Sequence, residues 1–377
     1  MWGLCVNMFT KLHAENILSL KCIDIELGKV NVFIGPNTSG KSNIVRVLQL
    51  LANHARGGVP VLDGYKELRS LSFGFNPIVD VFLSLEALIE RIKYAFLLEL
   101  TNESYMEKIA VDDKIIVEHK GSESYVKIKD QSRSPFPPSA FSNYYGRPTR
   151  LSVLSFLPSD VDLTVHRMAS SLKSIFTYSF ASDRIRSRNP ISENPLLKYH
   201  GENLARHLLY LYTEKRKSFR RVEEALRGMI PETEEIIPHI EGTEVEIWIK
   251  IKGLEEPLKP YNISDGTLRI LAITTALYGD SSLVALEEPE NCIHPRLLET
   301  LIWLARDSPS QVIITTHSPY LLDHVKPEEV YVVEKEGLET RVKKLSTSKE
   351  VEAVKKFLEE GGTLGEAWYS GLMGGVS

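Results

Sequence analysis

Val30-Asn31-Val32-Phe33-Ile34-Gly35-Pro36-Asn37-Thr38-Ser39-Gly40-Lys41-Ser42-Asn43 decides how the rest of this chain is read. Its first five residues are an apolar, β-branched run that predicts a buried strand. The run ends on a Gly-x-x-x-x-Gly-Lys-Ser loop, which opens into the amphipathic segment 44–51. Strand, loop and helix in that order are the context a Walker A phosphate loop requires. Gly35 and Gly40 permit backbone conformations closed to residues with a Cβ, so the loop through Pro36, Asn37, Thr38 and Ser39 is expected to wrap a phosphate. The N-terminus of the helix at Lys41, Ser42 and Asn43 adds its partial positive charge. Lys41 is expected to reach the β- and γ-phosphates, and Ser42 to place its hydroxyl on Mg²⁺, which prefers hard oxygen ligands. The alternative is a glycine-containing turn that binds nothing, and a full motif between a strand and a helix argues against it.

Moving outward, 377 residues suit one large α/β domain with insertions, or two to three smaller domains. With 43% hydrophobic and 25% charged residues the chain has an ordinary globular composition. A net charge of −5 argues against a surface that is basic all over, while leaving room for a local basic face. Cys5, Cys22 and Cys292 are isolated and show no metal or disulfide spacing along the chain, so free thiols in a reducing compartment are expected. No apolar run approaches the length of a bilayer span, and residues 1–10 lack the order of a signal peptide. A cytoplasmic protein with no membrane partner is expected.

Before the phosphate loop, residues 8–14 and 22–27 alternate as an antiparallel pair joined by a turn at 16–19. After it, strand-like runs at 79–85, 94–100, 114–118 and 125–129, parted by polar turns, predict an antiparallel meander. Residues 133–150, with Pro135, Pro137, Pro138 and Pro148, predict an irregular loop. Residues 154–230 read as helical, with one clear helix over 203–229 that carries Arg216, Lys217, Arg220 and Arg221 opposite its apolar face. Together with Arg184, Arg186 and Arg188 this is a candidate contact for DNA or RNA, and its alternative is a solvated back face.

Chemistry returns near residue 262. Ser264-Asp265-Gly266 precedes an apolar helix over 268–278, and a strand over 283–286 ends in Glu287-Glu288-Pro289-Glu290. A helix over 295–306 leads to a strand over 312–315 that delivers Thr316-His317-Ser318-Pro319. Strands that alternate with helices and end in carboxylates and a His gather a site at one sheet edge. Successive side chains of a strand point oppositely, so one of Glu287 and Glu288 faces a metal while the other faces a γ-phosphate, as in a Walker B box. Ser264 reads as a helix N-cap, as an anion site, or as both, and His317 has a buried, hydrogen-bonded histidine as its alternative. Thr347 and Glu350 have capping-box spacing for a C-terminal helix, and the tail carries Trp368, Tyr369, Leu372 and Met373.

The order of these four motifs, with Ile263 to Arg269 and His294-Pro295 among them, resembles the stand-alone AAA-type ATPases of the RecF/OLD/SMC group, whose heads are similar to ATP-binding-cassette (ABC) domains. The likeness covers most of the chain and is weakest over 55–240. It implies an α/β P-loop NTPase with an ABC-type head: a mixed doubly wound sheet, an antiparallel β subdomain and a helical insertion. The corresponding division is 1–153, 154–240, 241–346 and 347–377. By this resemblance Ser264, Asp265 and Gly266 match a signature motif that contacts the γ-phosphate held by the opposite subunit. Glu288 matches the catalytic glutamate, Glu287 the Mg²⁺-side carboxylate and His317 the switch histidine. ATP, Mg²⁺ and an ATP-dependent head-to-tail homodimer are implied. Asp265 stands where transporter cassettes have a second glycine and Glu287 where they have aspartate, which speaks against a transporter subunit. No Q-loop glutamine is identifiable, Gln131 being the only one between the Walker helix and the signature. The expected function is a Mg²⁺-dependent ATPase acting on nucleic acid or on a partner effector in DNA maintenance or antiphage defence. Its rivals are a nucleotide-gated module that regulates a separate nuclease or toxin and, third, a transporter's ATP-binding subunit.

Overall fold

The structure, a computed structural model, describes residues 8–57, 68–76, 78–101, 105–120, 126–128, 131–133, 152–156, 163–191 and 196–374. Cys5 and the proline-rich loop expected after Arg133 lie outside them. In chain order, β1 (Met8–Ile17) and β2 (Leu20–Glu26) precede β3 (Val30–Ile34), α1 (Lys41–Ala55) and the single turn α2 (Leu68–Leu71). A run of strands follows: β4 (Val81–Ile89), β5 (Ile92–Leu100), β6 (Tyr105–Val111), β7 (Lys114–Lys120), β8 (Val126–Ile128) and β9 (Gln131–Arg133). Then come α3 (Leu163–Lys173), β10 (Ile175–Tyr178), α4 (Ser182–Ile185), β11 (Asn189–Pro190), α5 (Leu204–Glu214), α6 (Arg216–Met229), β12 (Thr233–Glu241) and β13 (Glu244–Ile251). The last third holds α7 (Asp265–Leu277), β14 (Leu283–Glu287), α8 (Leu298–Asp307), β15 (Gln311–Thr316), α9 (Pro319–Leu322), β16 (Val330–Glu336), β17 (Glu339–Lys344), α10 (Val351–Glu359) and α11 (Leu364–Tyr369).

The chain divides into two compact units, the first of which comprises Met1–Lys29, Gly35–Ile175 and Val332–Lys344. Its eight-stranded sheet is antiparallel in the order β2-β1-β4-β5-β6-β7-β8-β9. Alternation sets one face: Val81, Leu83, Leu85, Ala87 and Ile89 of β4 are buried, as are Tyr94, Phe96, Leu98 and Leu100 of β5. Each such large side chain contributes roughly 1.5–3 kcal/mol on burial. Helix α1 buries Ile44, Val47, Leu48, Leu51 and Ala55, the spacing of one helical face.

The meander expected from the sequence forms, with two strands, β6 and β9, beyond those its alternation revealed. In β6 the inward positions are Tyr105, Glu107 and Ile109, and a carboxylate in the middle hides the apolar rhythm. Glu107 takes a core position because it is saturated with donors. His54 Nε2 lies 2.8 Å from Oε2 and His119 Nδ1 3.2 Å from Oε1, Ser152 Oγ donates at 2.7 Å, and the Val153 amide donates at 2.5 Å. Burial alone would push this carboxyl up, but the charge of His54 and these hydrogen bonds outweigh it and hold it down at about 2.

The second unit comprises Val30–Ile34, Phe176–Tyr331 and Leu345–Ser377. Strands β14, β15 and β3 are parallel, in a sheet ordered β10-β14-β15-β3, with Leu286 opposite Ile314 and Ile314 opposite Val32. Val30–Ile34 and Gln311–Thr316 are buried throughout, as strands covered on both faces must be, which is why they read as unbroken apolar runs. A smaller antiparallel sheet, β11-β13-β12, carries α5 and α6. The α/β architecture expected from the sequence, with parallel and antiparallel sheets plus helices, is therefore the one that forms.

Two local expectations are corrected. The helix read over 203–229 is two helices, broken at Lys215 (φ −130°, ψ 51°). Thr213 turns its hydroxyl back onto the Leu209 and Tyr210 carbonyls, Lys215 pairs with Asp280, and α6 then packs on α7, so the two halves bury different faces. The capping box lies at Thr363 and Glu366, at the start of α11. Thr347 instead belongs to a short 3₁₀ turn, and α10 begins after Glu350 with no side-chain cap. In the tail Trp368 and Met373 are buried, whereas Tyr369 is exposed.

Candidate functional site

In the first unit the phosphate loop runs from Gly35 to the start of α1. Gly40 has a left-handed backbone (φ 106°), and a Cβ there would fall 2.0 Å from Thr340 Oγ1. Only glycine fits. Thr340 also donates to the Ser39 carbonyl at 2.8 Å and lies 2.6 Å from Ser19 Oγ, which in turn accepts from Asn43 Nδ2 at 2.7 Å. The loop is thus braced from outside by β17 and by the β1–β2 turn. Pro36, Asn37, Thr38 and Ser42 are exposed, Gly35 and Ser39 are buried, and the Asn43 side chain is engaged with Ser19 and Arg46.

Lys41 is buried, with its ammonium donating to the Gly35 carbonyl at 2.7 Å and the Pro36 carbonyl at 2.9 Å. No side chain caps α1, whose start carries the partial positive charge that favours an anion. A cradle that a Cβ would fill, an uncapped helix start and a buried ammonium together fit a phosphate group.

In the second unit the parallel strands end together. Thr316 pairs with Ile34, after which the chain enters the phosphate loop, and Glu287 pairs with Thr315 one strand further. Glu287 ends β14 and accepts a 2.5 Å hydrogen bond from the Tyr199 hydroxyl. Glu288 turns the other way. Its backbone is left-handed (φ 45°) and its amide donates to the Thr315 carbonyl at 2.8 Å. Its carboxylate lies 3.3 Å from His317 Nδ1 and accepts from Asn291 Nδ2 at 3.0 Å. A bulky residue held at positive φ is a strained conformation that the surrounding fold must impose. Glu290 accepts from Thr316 Oγ1 at 2.5 Å, and burial pushes its carboxyl up.

The start of helix α7 lies against the same loop. Ser264 caps it, accepting from the Thr267 amide at 3.1 Å, so the capping role read from the sequence is present. Asp265 pairs with Arg186 at 2.5 Å, and that guanidinium holds its carboxyl below the usual range. Gly266 lies against the loop after Glu290, since a Cβ would fall 2.6 Å from the Cys292 carbonyl. Arg269 fastens the same contact by donating to the Asn291 and Phe180 carbonyls.

Glu288 and His317 are therefore brought together, while Glu287 is directed to a different partner, as opposed strand directions require. Sequence reasoning missed Tyr199 and Asn291 and gave no role to Arg269. Asn291 was legible in principle, three residues beyond Glu288 in the same loop; Tyr199 comes from 88 positions away and leaves no local signal. Ser42 in the first unit and Glu287 in the second each carry an oxygen of the hard kind that Mg²⁺ takes. Among the described residues no helix is long and apolar enough to cross a membrane.

Residues 30–323 match the sequence profile of a family described as "AAA domain, putative AbiEii toxin, Type IV TA system". Among solved structures, the chain is similar to an SMC head bound to the C-winged helix domain of ScpA, at 14% identity over 92% of this chain and 99% of that one, with a TM-score of 0.56. It is also similar to an Smc head domain with an extended coiled coil bound to the C-terminal domain of ScpA, derived from Pyrococcus furiosus. That likeness is at 15% identity over 94% of this chain and 99% of that one, with a TM-score of 0.57. At such identities the likeness is one of fold. No curated protein matches the sequence.

Proposed function

The chain belongs to this AAA-domain family and is an ATPase with an ABC-type head, and we propose that it hydrolyses ATP with Mg²⁺ in a head-to-tail dimer of two copies. The observation that carries the reading is the strained Glu288, whose carboxylate faces His317 and Asn291 at the end of a parallel strand. Lys41 gives up its loop carbonyls to neutralise the transferring phosphate, and the N–H groups at the start of α1 bind the same charge. Ser42 and Glu287 would hold Mg²⁺, which when bound offsets the phosphate charge. Glu288 orients the attacking water and takes its proton, and His317 senses the γ-phosphate through its contact with Glu288. The start of α7 at Ser264, Asp265 and Gly266 is assigned to the phosphate bound by the other copy.

The cycle is proposed to act, in the cytoplasm, on a partner effector or on nucleic acid. Control of a toxin-type effector is the second reading, favoured by the family's description. The SMC heads named above are bound to a partner protein in their own structures. Nucleic-acid contact has a narrower base than the sequence offered. Arg186 and Arg188 are paired with Asp265, Glu241 and Glu246, leaving the exposed Arg184 and the exposed Arg216, Lys217, Arg220 and Arg221 of α6.

The test is the solution mass of Glu288→Gln with and without ATP and Mg²⁺, and with and without duplex DNA, alongside its turnover. Hydrolysis is expected to fall by about 10²–10⁴-fold while ATP binding is kept and a dimer accumulates. Unchanged turnover would remove Glu288 from catalysis, and a monomer in every condition would remove the shared site. DNA retained by the dimer would select nucleic acid as the output.

A further inference from the structure

The β1–β2 hairpin brings an imidazole, a thiol and two carboxylates onto one solvent-facing patch of the first unit. Its register sets His13 opposite Asp24 and Glu15 opposite Cys22, and residues two apart on a strand share a face. The opposite face is the buried one, with Leu12 across from Ile25 and Ala14 from Ile23. One donor atom from each of His13, Cys22 and Asp24 lies within 4.8 Å of the other two. His13 Nδ1 is 3.3 Å from Asp24 Oδ1, its Nε2 is 3.3 Å from Glu15 Oε1, and Cys22 Sγ is 3.8 Å from the same Glu15 oxygen. The imidazole is also held edge-on to Phe82, with ring centroids 5.7 Å apart, which limits its rotation.

We propose that His13, Cys22 and Asp24 form a binding site for a borderline-soft divalent transition-metal ion, Zn²⁺ by donor type. Glu15 accepts the hydrogen bond of the second imidazole nitrogen, and water completes the shell. A tetrahedral zinc shell, with bonds of about 2.0–2.3 Å, sets its donor atoms about 3.3–3.8 Å apart. The three donor atoms, within 4.8 Å of one another, close on that spacing as the ion binds. Nitrogen, sulfur and one carboxylate suit Zn²⁺ or Co²⁺ and do not suit Mg²⁺, so this ion is separate from any metal at the phosphate loop. Binding breaks the Cys22 S–H bond, forms the metal–thiolate bond and releases the proton to solvent. Lys11, which pairs with Asp24 at 2.7 Å, competes for the carboxylate. Because the hairpin turn supplies Ser19 to Asn43 and Thr340, an ion here stiffens a support of the phosphate loop.

The experiment is titration of the metal-free full chain with Co²⁺, read by absorption, with and without Mg²⁺ and ATP. Stoichiometric binding with a sulfur-to-cobalt charge-transfer band, displaced by Zn²⁺ and present with or without nucleotide, is expected. Cys22→Ser should abolish the band and His13→Ala should weaken binding at least about tenfold. Lys11→Met should tighten binding, and Cys292→Ser should leave it unchanged. Cys22 is exposed, so its serine variant is expected to fold, which a matching circular-dichroism melt checks. Absence of the band in the wild type with Co²⁺ in excess, or its persistence in Cys22→Ser, overturns the proposal.

Discussion

Glu107 in the first unit faces donors on both oxygens, from His54, His119, Ser152 and the Val153 amide. Glu290 in the second accepts one from Thr316 and leaves Oε2 buried with no partner among the described residues. Both are carboxylates removed from water, and their environments push them opposite ways. At Glu107 the hydrogen bonds and the neighbouring charge overcome burial and the carboxyl is held at about 2; at Glu290 burial prevails and the carboxyl is raised. A carboxylate that holds a fold together is saturated. One beside a strained, solvent-reaching pair such as Glu288 and His317 keeps valence unspent.

Breaking the saturated case should produce the larger effect. Glu107→Ala strands two histidines in a dry interior, and removing one partner of a buried ionic cluster costs about 3–5 kcal/mol. Because the folded value lies below the ordinary 4.5, Glu107 stabilises the protein fully above about pH 4.5 and loses that contribution as pH falls toward 2. Denaturant melts at pH 7 and pH 3 check both statements. The alanine variant should be far weaker at pH 7, and the gap to wild type should narrow at pH 3. A gap of equal size at both values would refute the assignment of an ionised Glu107.

The unsaturated case should respond with the opposite sign. Glu290→Gln removes a charge that burial disfavours and keeps an oxygen for Thr316, so the variant is expected to match or exceed the wild type by up to about 1 kcal/mol at pH 8. With its folded value raised, Glu290 contributes most at low pH and loses that contribution as pH rises through the folded value. The advantage of glutamine should therefore grow from pH 5 to pH 8. A loss of stability in Glu290→Gln that deepens with pH would show that Glu290 is stabilised as an anion.

What could be read in advance follows the same division. The phosphate loop and the strand ends at Glu287 and Thr316 are runs of adjacent residues, and motif and period display them directly. Glu107 concealed β6 because its partners come from α1, β7 and the turn at Ser152, none of them near it in sequence. Tyr199 reaches Glu287 across 88 residues. His13, Cys22 and Asp24 have no metal-site spacing along the chain and become neighbours only through cross-strand register. The break at Lys215 contains neither Gly nor Pro. It is set by tertiary packing, which keeps both helices on the small sheet while turning α6 onto α7, a preference that helical periodicity does not carry.

Asp265 extends the comparison to a carboxylate left in water, and it should show the smallest effect. Its pairing with Arg186 is short, at 2.5 Å, yet the aspartate side chain is 54% exposed, so solvent and salt screen the attraction. Arg186→Gln is expected to leave the melting temperature indistinguishable from wild type. The titration of Asp265, followed by carboxyl carbon NMR, should nevertheless move up toward the ordinary aspartate range, because the guanidinium that lowers it is gone. Raising the salt concentration of the wild type should move it the same way and less far. An Asp265 titration indifferent to both changes would mean that Ser182, Arg269 and the start of α7, rather than Arg186, set its charge. The acidic residue beside Ser264 would then remain available to whatever approaches that end.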